Sequence, residues 1–425
     1  MMKAVKVGFL GCGNIGSGVW QLLVQSGQQM NKTESIRFDV VKVLVRDLEK
    51  QRPEGMDPSL FTRDPAQVVE NDEIDLVVEF MGGEDPAAEY MIRALSAGKN
   101  VVTANKMALS LHWEELIAAA RDHSAGLYYE ASVCGAIPII SVINDSLQGN
   151  RIEKLMGIVN GTTNYILSEM SDRGTGYQEA LKNAQVLGFA EPDSTSDVEG
   201  YDAAYKLSIL SSLAFHCPVP FEKVYREGIT SVTPMDIAFG KEFGYEIKLL
   251  AIAKMDAAGR VEARVHPTFI PKIHPLASVK GSFNSVFIKG SACDDMMLYG
   301  RGAGSLPTAS AVVSDMLYAC RADLPRYPVY LTERDLDRLM TDWEAAYYIR
   351  LSASDRAGVL AHIASRLGDK GVSIRLMTQR GEGGSHGRVP VVLITHQAWE
   401  SDVKAALASI DPDAARVESI IRVEE

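Results

Sequence analysis

Short apolar runs recur through the first hundred residues, and helical spacing follows them. Val5 to Leu10 is a β-rich run that ends in Gly11-Cys12-Gly13-Asn14-Ile15-Gly16, after which Val19, Trp20, Leu22 and Leu23 mark a helix. Phe38 to Val45, Leu76 to Phe80 and Asn100 to Thr103 are the next predicted strands. Pro86 to Ala97 predicts a helix between two of them, with Asp85 as its N-cap and Pro86 in its first turn. Strands alternating with helices predict a parallel, doubly wound sheet.

The pattern changes near residue 145. Glycine-punctuated segments, more polar helices and several strands predict an α+β domain. Arg321 to Arg326, with Pro325 and Pro328 nearby, reads as the exit toward a linker. The C-terminal stretch then predicts strand Tyr347 to Leu351, helix Val359 to Leu367, strands Val372 to Met377 and Val389 to Thr395, helix Trp399 to Ile410, and strand Arg416 to Val423. That order, βαββαβ, is the ferredoxin-like arrangement. Arg380 to Arg388, rich in glycine and charge, predicts a hairpin loop. The expected boundaries are 1–141 for the first domain, 142–322 for the second, 323–345 for a linker and 346–425 for the third. The last helix of the second domain is expected to pack back on the first.

Composition narrows the function classes. The chain has 425 residues, too many for one core and enough for two or three domains. With 43 basic and 55 acidic residues the net charge is −12. No basic field exists to neutralise nucleic-acid phosphates or to seek an anionic membrane. No apolar run approaches the roughly 20 residues needed to span a bilayer. The N-terminus reads as a strand, not a signal peptide. Five cysteines without CxxC spacing fit a reduced, cytoplasmic protein with no cysteine-based metal site.

The glycine loop follows a strand, opens a helix and stands at the start of an α/β pattern, a context that marks a Rossmann-type dinucleotide site. Gly11 permits the turn, Gly13 lets backbone approach the pyrophosphate, and Gly16 lets helix pack on strand; Asn14 and Ile15 open the helix whose N–H groups face the phosphates. The second strand ends in Val45-Arg46-Asp47. Arg46 would pair with a 2′-phosphate and favour NADP; Asp47 would hold a ribose hydroxyl and favour NAD, but lies later than the usual acid. NADP is the expected cofactor, with NAD the alternative.

Three further segments carry chemistry. Thr103-Ala104-Asn105-Lys106 closes a sheet strand at the edge where ligands sit, so Lys106 would face nicotinamide and substrate. A predicted strand ends at Glu130 and runs through Ala131-Ser132-Val133-Cys134-Gly135-Ala136-Ile137-Pro138. One carboxylate beside several backbone carbonyls suits a hard cation, and a single acid favours a monovalent one. In the stretch from Leu187 to Lys206, Asp202 and Lys206 are four apart and share a helix face, and apolar residues follow. Several acids and one lysine beside a buried helix suit a zwitterion: acids for an ammonium, lysine for a hydroxyl or carbonyl oxygen.

These motifs resemble homoserine dehydrogenase over about the first 320 residues. The matching runs are the glycine loop, Ala104-Asn105-Lys106, Glu130 to Val133, Asn160-Gly161-Thr162-Thr163-Asn164-Tyr165-Ile166-Leu167, Asp202-Ala203-Ala204-Tyr205-Lys206, Gly302-Ala303-Gly304 and Pro307 to Ala311. The C-terminal unit resembles an ACT domain, with Asp355-Arg356-Ala357-Gly358-Val359-Leu360 at its first strand-to-helix turn. The resemblance is to the stand-alone enzyme, and it implies reversible reduction of L-aspartate 4-semialdehyde to L-homoserine by NAD(P)H in threonine, methionine and isoleucine biosynthesis. It implies Lys206 as proton donor, Lys106 as a catalytic residue that also meets substrate and cofactor, and Glu191, Asp197 and Asp202 as substrate residues. It places a cation, expected to be Na+, on Glu130 and the carbonyls of Val133, Gly135 and Ile137, and gives Gly188 and Gly302 to the cofactor. It also implies an amino-acid effector at the ACT domain, with threonine expected, and a homodimer or homotetramer. Cys134 departs from the family's usual Gly or Ala, Ser194 from a common Pro and Phe189 from a common Tyr; none is an acid or lysine of the site. The rival readings are another ACT-tailed amino-acid-pathway dehydrogenase, such as a 3-phosphoglycerate dehydrogenase, and a non-catalytic amino-acid sensor.

Overall fold

The computed structural model describes residues 2–322, 324–328, 338–381 and 387–424. The chain divides into two compact units, and neither is continuous. The first takes Met1–Leu155, Asp202–Val224 and Phe283–Leu336; the second takes Met156–Tyr201, Tyr225–Ser282 and Asp337–Glu425.

The first unit is built on six parallel strands: β1 (Lys3–Leu10), β2 (Ile36–Leu44), β3 (Phe61–Thr62), β4 (Leu76–Glu79), β5 (Asn100–Thr103) and β6 (Leu127–Tyr128). Their order is β3-β2-β1-β4-β5-β6, the doubly wound sheet predicted from the alternation. All four residues of β4 are buried, as expected of a strand covered on both faces. The helix Asn14–Glu34 follows the glycine loop and packs against the helix Ser305–Arg321. Ala309, Val312 and Met316 of the latter join Val5, Val7 and Phe9 in one core. Strand β7 (Ile152–Ile158) begins in this unit, which also holds the antiparallel pair β11 (Phe283–Gly290) and β12 (Asp294–Arg301).

The second unit contains β8 (Tyr225–Arg226), β9 (Tyr245–Met255) and β10 (Val261–Pro271), then the C-terminal set β13 (Glu344–Ser354), β14 (Ile374–Gln379), β15 (Arg388–Thr395), β16 (Ala398–Trp399) and β17 (Ala415–Val423). With helices Val359–Gly368 and Glu400–Ala408, the C-terminal elements give the βαββαβ order, and the sheet order β17-β13-β15-β14 is ferredoxin-like. Period two splits β13 into two faces. Tyr347, Ile349 and Leu351 share a core with Ile363 and Leu367 of the helix Val359–Gly368. Tyr348 and Arg350 face the other way and reach Asp236, at 3.1 Å and 2.7 Å. Asp236 also closes a capping box with Thr233 at the start of the helix Pro234–Glu242.

The C-terminal sheet is also joined to the strands before it. β17 pairs in parallel with β10, with Thr268 opposite Arg422 and Phe269 opposite Val423.

Several local expectations need correction. Pro86, not Asp85, is the N-cap of the helix Ala87–Ser96, and no side chain caps it. Glu130 is not a strand residue: β6 stops at Tyr128 and Glu130 opens a short 3₁₀ turn through Ser132. The second C-terminal strand begins at Ile374 rather than Val372. The predicted linker 323–345 overlaps β13, which starts at Glu344, and much of the rest lies outside the described residues. The predicted loop Arg380 to Arg388 likewise has its middle, 382–386, outside them.

Candidate active site

The strand order reverses between β1 and β4, and the carboxyl ends of these strands carry Gly11 and Glu79. Open α/β sheets bind ligands at that crevice. Gly11 has φ +99°, a conformation that disfavours a side chain. Apart from its own chain neighbours, nothing lies within 4 Å of where a Cβ on Gly13 would stand, so that side of the loop is open. Gly16 is buried against the Phe80 ring, and Asn14 and Ile15 begin the helix. Arg46 is exposed at the end of β2. A second arginine, Arg52, is tied into the loop itself: it donates to the Cys12 carbonyl at 2.8 Å and to the Asp47 carbonyl at 2.6 Å.

Glu79 builds the next part. It is fully buried and accepts from the Thr103 hydroxyl at 2.6 Å and the Met81 N–H at 2.6 Å, while burial raises its pKa. Asn105 then caps the short helix Lys106–Leu111, accepting from the Ala108 N–H at 3.1 Å and donating to the Gly83 carbonyl at 2.8 Å. Lys106 is thereby fixed at the first position of that helix.

The helix Tyr201–Ala214 brings Lys106 its partner. Every residue from Asp202 to Ala214 is buried, and the Ser208 and Ser212 hydroxyls bond to main chain, at 2.7 Å to the Val219 and Ser208 carbonyls. Asp202 lies 2.7 Å from Lys206 Nζ on its own helix face and 3.1 Å from Lys106 Nζ. The Lys206 side chain is 10% exposed and that of Lys106 40%. Two cations thus share one buried carboxylate, and one of them faces solvent.

Beside this cluster runs the turn from Glu130 to Ile137. The Glu130 carboxylate accepts from the Ile140 and Ser141 N–H groups at 2.8 and 2.7 Å and from the Ser141 hydroxyl. Burial raises its pKa. Cys134 and Gly135 both have positive φ, +57° and +53°. Val133 and Gly135 are buried, yet among the described residues neither carbonyl accepts a hydrogen bond. The Ile137 carbonyl accepts from Ile139 at 2.8 Å. Buried carbonyls without donors beside a carboxylate match a cation site. Among the described residues no three His, Cys, Asp or Glu side chains group as metal ligands. The Cys134 thiol is pushed up to about 11 by burial, against the opposing pull of Lys206 and Asn284. Gly302 is half-buried, and the Asn284 amide fills the space where a Cβ on it would stand.

The remaining predicted residues belong to the second unit. Asp197 accepts from the Asn160 amide at 2.7 Å, Glu191 is exposed, and Gly188 is exposed with φ +75°.

Sequence reasoning missed Arg52, Glu79, Asn284 and Asp315. Asp315, in the helix Ser305–Arg321, accepts the Glu130 N–H at 2.8 Å. Burial and the Glu130 carboxylate hold its pKa well above the usual carboxylate range. Glu79 and Asp315 did leave a signal, each being a single acid in an apolar run. Arg52 left none.

A glycine loop at the switch point of a parallel sheet, with a lysine–aspartate–lysine cluster beside it, defines a nicotinamide-dependent oxidoreductase. Comparison with known proteins gives the family. Residues 11–130 match the homoserine dehydrogenase NAD-binding domain, 138–317 the homoserine dehydrogenase domain and 347–411 the ACT domain. The chain is 40% identical to a homoserine dehydrogenase of Corynebacterium glutamicum, over 99% of this chain and 96% of that one. It is 38% identical to that of Bacillus subtilis, over 100% and 99%. The crystal structure of a homoserine dehydrogenase from Thiobacillus denitrificans superposes with a TM-score of 0.90 at 42% identity, covering 100% of this chain and 99% of that one. A hyperthermophilic archaeal homoserine dehydrogenase in complex with NADPH matches with a TM-score of 0.65 at 25% identity, covering 76% and 100%. The chain belongs to the homoserine dehydrogenase family and carries an ACT domain. No helix among the described residues is long and apolar enough to cross a membrane.

Proposed function

We propose that the chain interconverts L-aspartate 4-semialdehyde and L-homoserine in the cytoplasm, using NADP(H) in preference to NAD(H). The observation that carries this reading is the Asp202 carboxylate between Lys106 at 3.1 Å and Lys206 at 2.7 Å. When bound, the nicotinamide supplies hydride exchange with C4 of the substrate. In reduction, Lys206 Nζ donates a proton to the developing alkoxide; in oxidation it takes the proton back. Lys106 stabilises charge on the same oxygen and orients substrate against the ring. Asp202 fixes both ammonium groups and offsets their mutual repulsion. Glu191, Asp197 and Asp202 are assigned to the substrate by their resemblance to the family's motif.

Gly11, Gly13, Asn14, Ile15 and Gly16 would cradle the pyrophosphate, Arg46 the 2′-phosphate, and Gly188 and Gly302 other parts of the dinucleotide. Glu130 with the carbonyls of Val133, Gly135 and Ile137 would hold Na+. The ACT domain would take threonine as effector, in a homodimer or homotetramer, with segments 1–141 and 142–322 as dinucleotide and catalytic domains and the ACT domain starting with β13 at Glu344. The β10–β17 pairing supports a regulatory reading, because an effector that strains β17 acts on a strand bonded to the body of the unit.

Lys206→Ala is expected to lose about 10²–10⁴-fold in turnover while binding of NADPH, followed by fluorescence, persists. A folded variant with near-normal turnover would contradict the assignment.

A further inference from the structure

The helix Ser305–Arg321 is apolar where it joins the core, yet one acid, Asp315, is buried in it at 8% exposure. Its carboxylate accepts the backbone N–H of Glu130 at 2.8 Å, across 185 positions of sequence. Glu130 is therefore anchored twice, through its main chain by Asp315 and through its carboxylate by Ile140 and Ser141. The cage carbonyls of Val133, Gly135 and Ile137 follow at once along the chain, so the placement of the Glu130 backbone sets theirs. Glu130 and Asp315 both line a cavity of about 530 Å³, together with Ser141, Asn144 and Ser212. Arg326, on the same cavity, already forms an ion pair with Asp145.

We propose that Asp315 is a positioning residue of the cation cage, holding the Glu130 backbone in place through its N–H. This rests on the reading that a monovalent cation binds at Glu130. Partners one step behind metal ligands typically change affinity by about 10–100-fold when removed.

The test is thermal unfolding of the full chain in rising NaCl, with choline chloride holding ionic strength constant. The wild-type midpoint should climb with Na+ and yield a half-saturation concentration without any turnover. Asp315→Leu, which loses both acceptor and charge, should raise that concentration by about tenfold or more. Asp315→Asn keeps an acceptor for the Glu130 N–H but not the charge, and should shift it less; it also serves if the leucine variant does not fold. A role confined to packing would lower the midpoint equally at every Na+ concentration and leave the half-saturation point unmoved, which overturns the proposal. Glu130→Gln separates the two levels. If it abolishes the Na+ response while both Asp315 variants keep the wild-type value, the cage stands and the role of Asp315 falls. If the wild type shows no response to Na+, the cation reading falls and the proposal with it.

Discussion

Two clusters of buried charge invite comparison. In the first unit, Lys106, Asp202 and Lys206 gather where the helix after β5 meets the helix Tyr201–Ala214, and the Lys106 side chain stays 40% exposed. In the second, Arg264 and Arg422 are 0% and 2% exposed. Arg264 reaches Glu424 at 3.1 Å and Glu262 at 3.3 Å, and Lys254 reaches Glu424 at 2.6 Å. Arg422 pairs with Glu400 and Glu227 and donates to the Tyr225 hydroxyl at 2.9 Å. The difference lies in what each cluster can still do. The first presents a cation to solvent and can exchange a partner for a ligand. The second joins β10, β17 and the helix Glu400–Ala408 through two arginines closed off from water, with Lys254 and Glu227 half-exposed at its rim. Breaking such a pair by removing one partner strands a buried charge. The same residue types therefore stay open to a ligand in one region, where we propose the chemistry, and hold the ACT sheet to β10 in the other.

The sharpest way to break this comparison is Arg264→Met. It leaves Glu262 and Glu424 short of a partner and should cost about 3–5 kcal/mol in denaturant unfolding, with the turnover of the folded fraction retained. A stable variant with impaired turnover would merge the two regions into one functional site.

The next effect is a pH dependence. His266 is fully buried, with Nε2 2.7 Å from an Arg264 nitrogen and Nδ1 3.0 Å from the Pro267 carbonyl. Burial, then Arg264 and Arg422, hold its pKa well below the ordinary histidine value. Its folded-state pKa is therefore depressed. Below pH about 6.5 the unfolded chain binds a proton that the folded chain refuses, so stability is full above that pH and is lost as pH falls, by about 1.4 kcal/mol per unit. His266→Asn should flatten this slope in unfolding titrations between neutral and mildly acid pH. An unchanged slope would show that another group sets it.

The smallest effect belongs to the first region. Asn105→Ala removes the cap beneath Lys106 and should cost about 1 kcal/mol in stability. Because the cap also fixes Lys106, kcat/KM for homoserine should fall by more than that stability loss explains. Equal stability and activity losses would reduce Asn105 to a structural role.

Much of the first region was legible in the sequence because its elements are local. The glycine loop, the run to Lys106 and the Asp202–Lys206 spacing each lie within one strand-to-helix turn or one helix face. Three of the first strands were predicted nearly to the residue, and so was the βαββαβ order of the C-terminal unit. The second region was not legible. Val261-Glu262-Ala263-Arg264-Val265-His266 alternates apolar and charged residues like a strand with one wet face. The structure buries both faces, because the charged side meets Arg422 and Glu424, about 160 positions further along the chain. No local periodicity encodes which edge β17 will join. Arg52 was hidden for the same reason: only the folded connection after β2 brings it to the Cys12 carbonyl. Asp315 stood out of pattern as an acid but was missed, because nothing local points to its bond with the Glu130 N–H.

The most direct test of the central claim, that the open Lys106–Asp202–Lys206 cluster serves homoserine chemistry, is a steady-state assay of the full chain with L-homoserine and NADP+. The account predicts reduction of NADP+ that depends on homoserine, with aspartate 4-semialdehyde as the product. No reduction with homoserine, while 3-phosphoglycerate or another hydroxy acid is oxidised, or no turnover of any substrate despite tight dinucleotide binding, would contradict it.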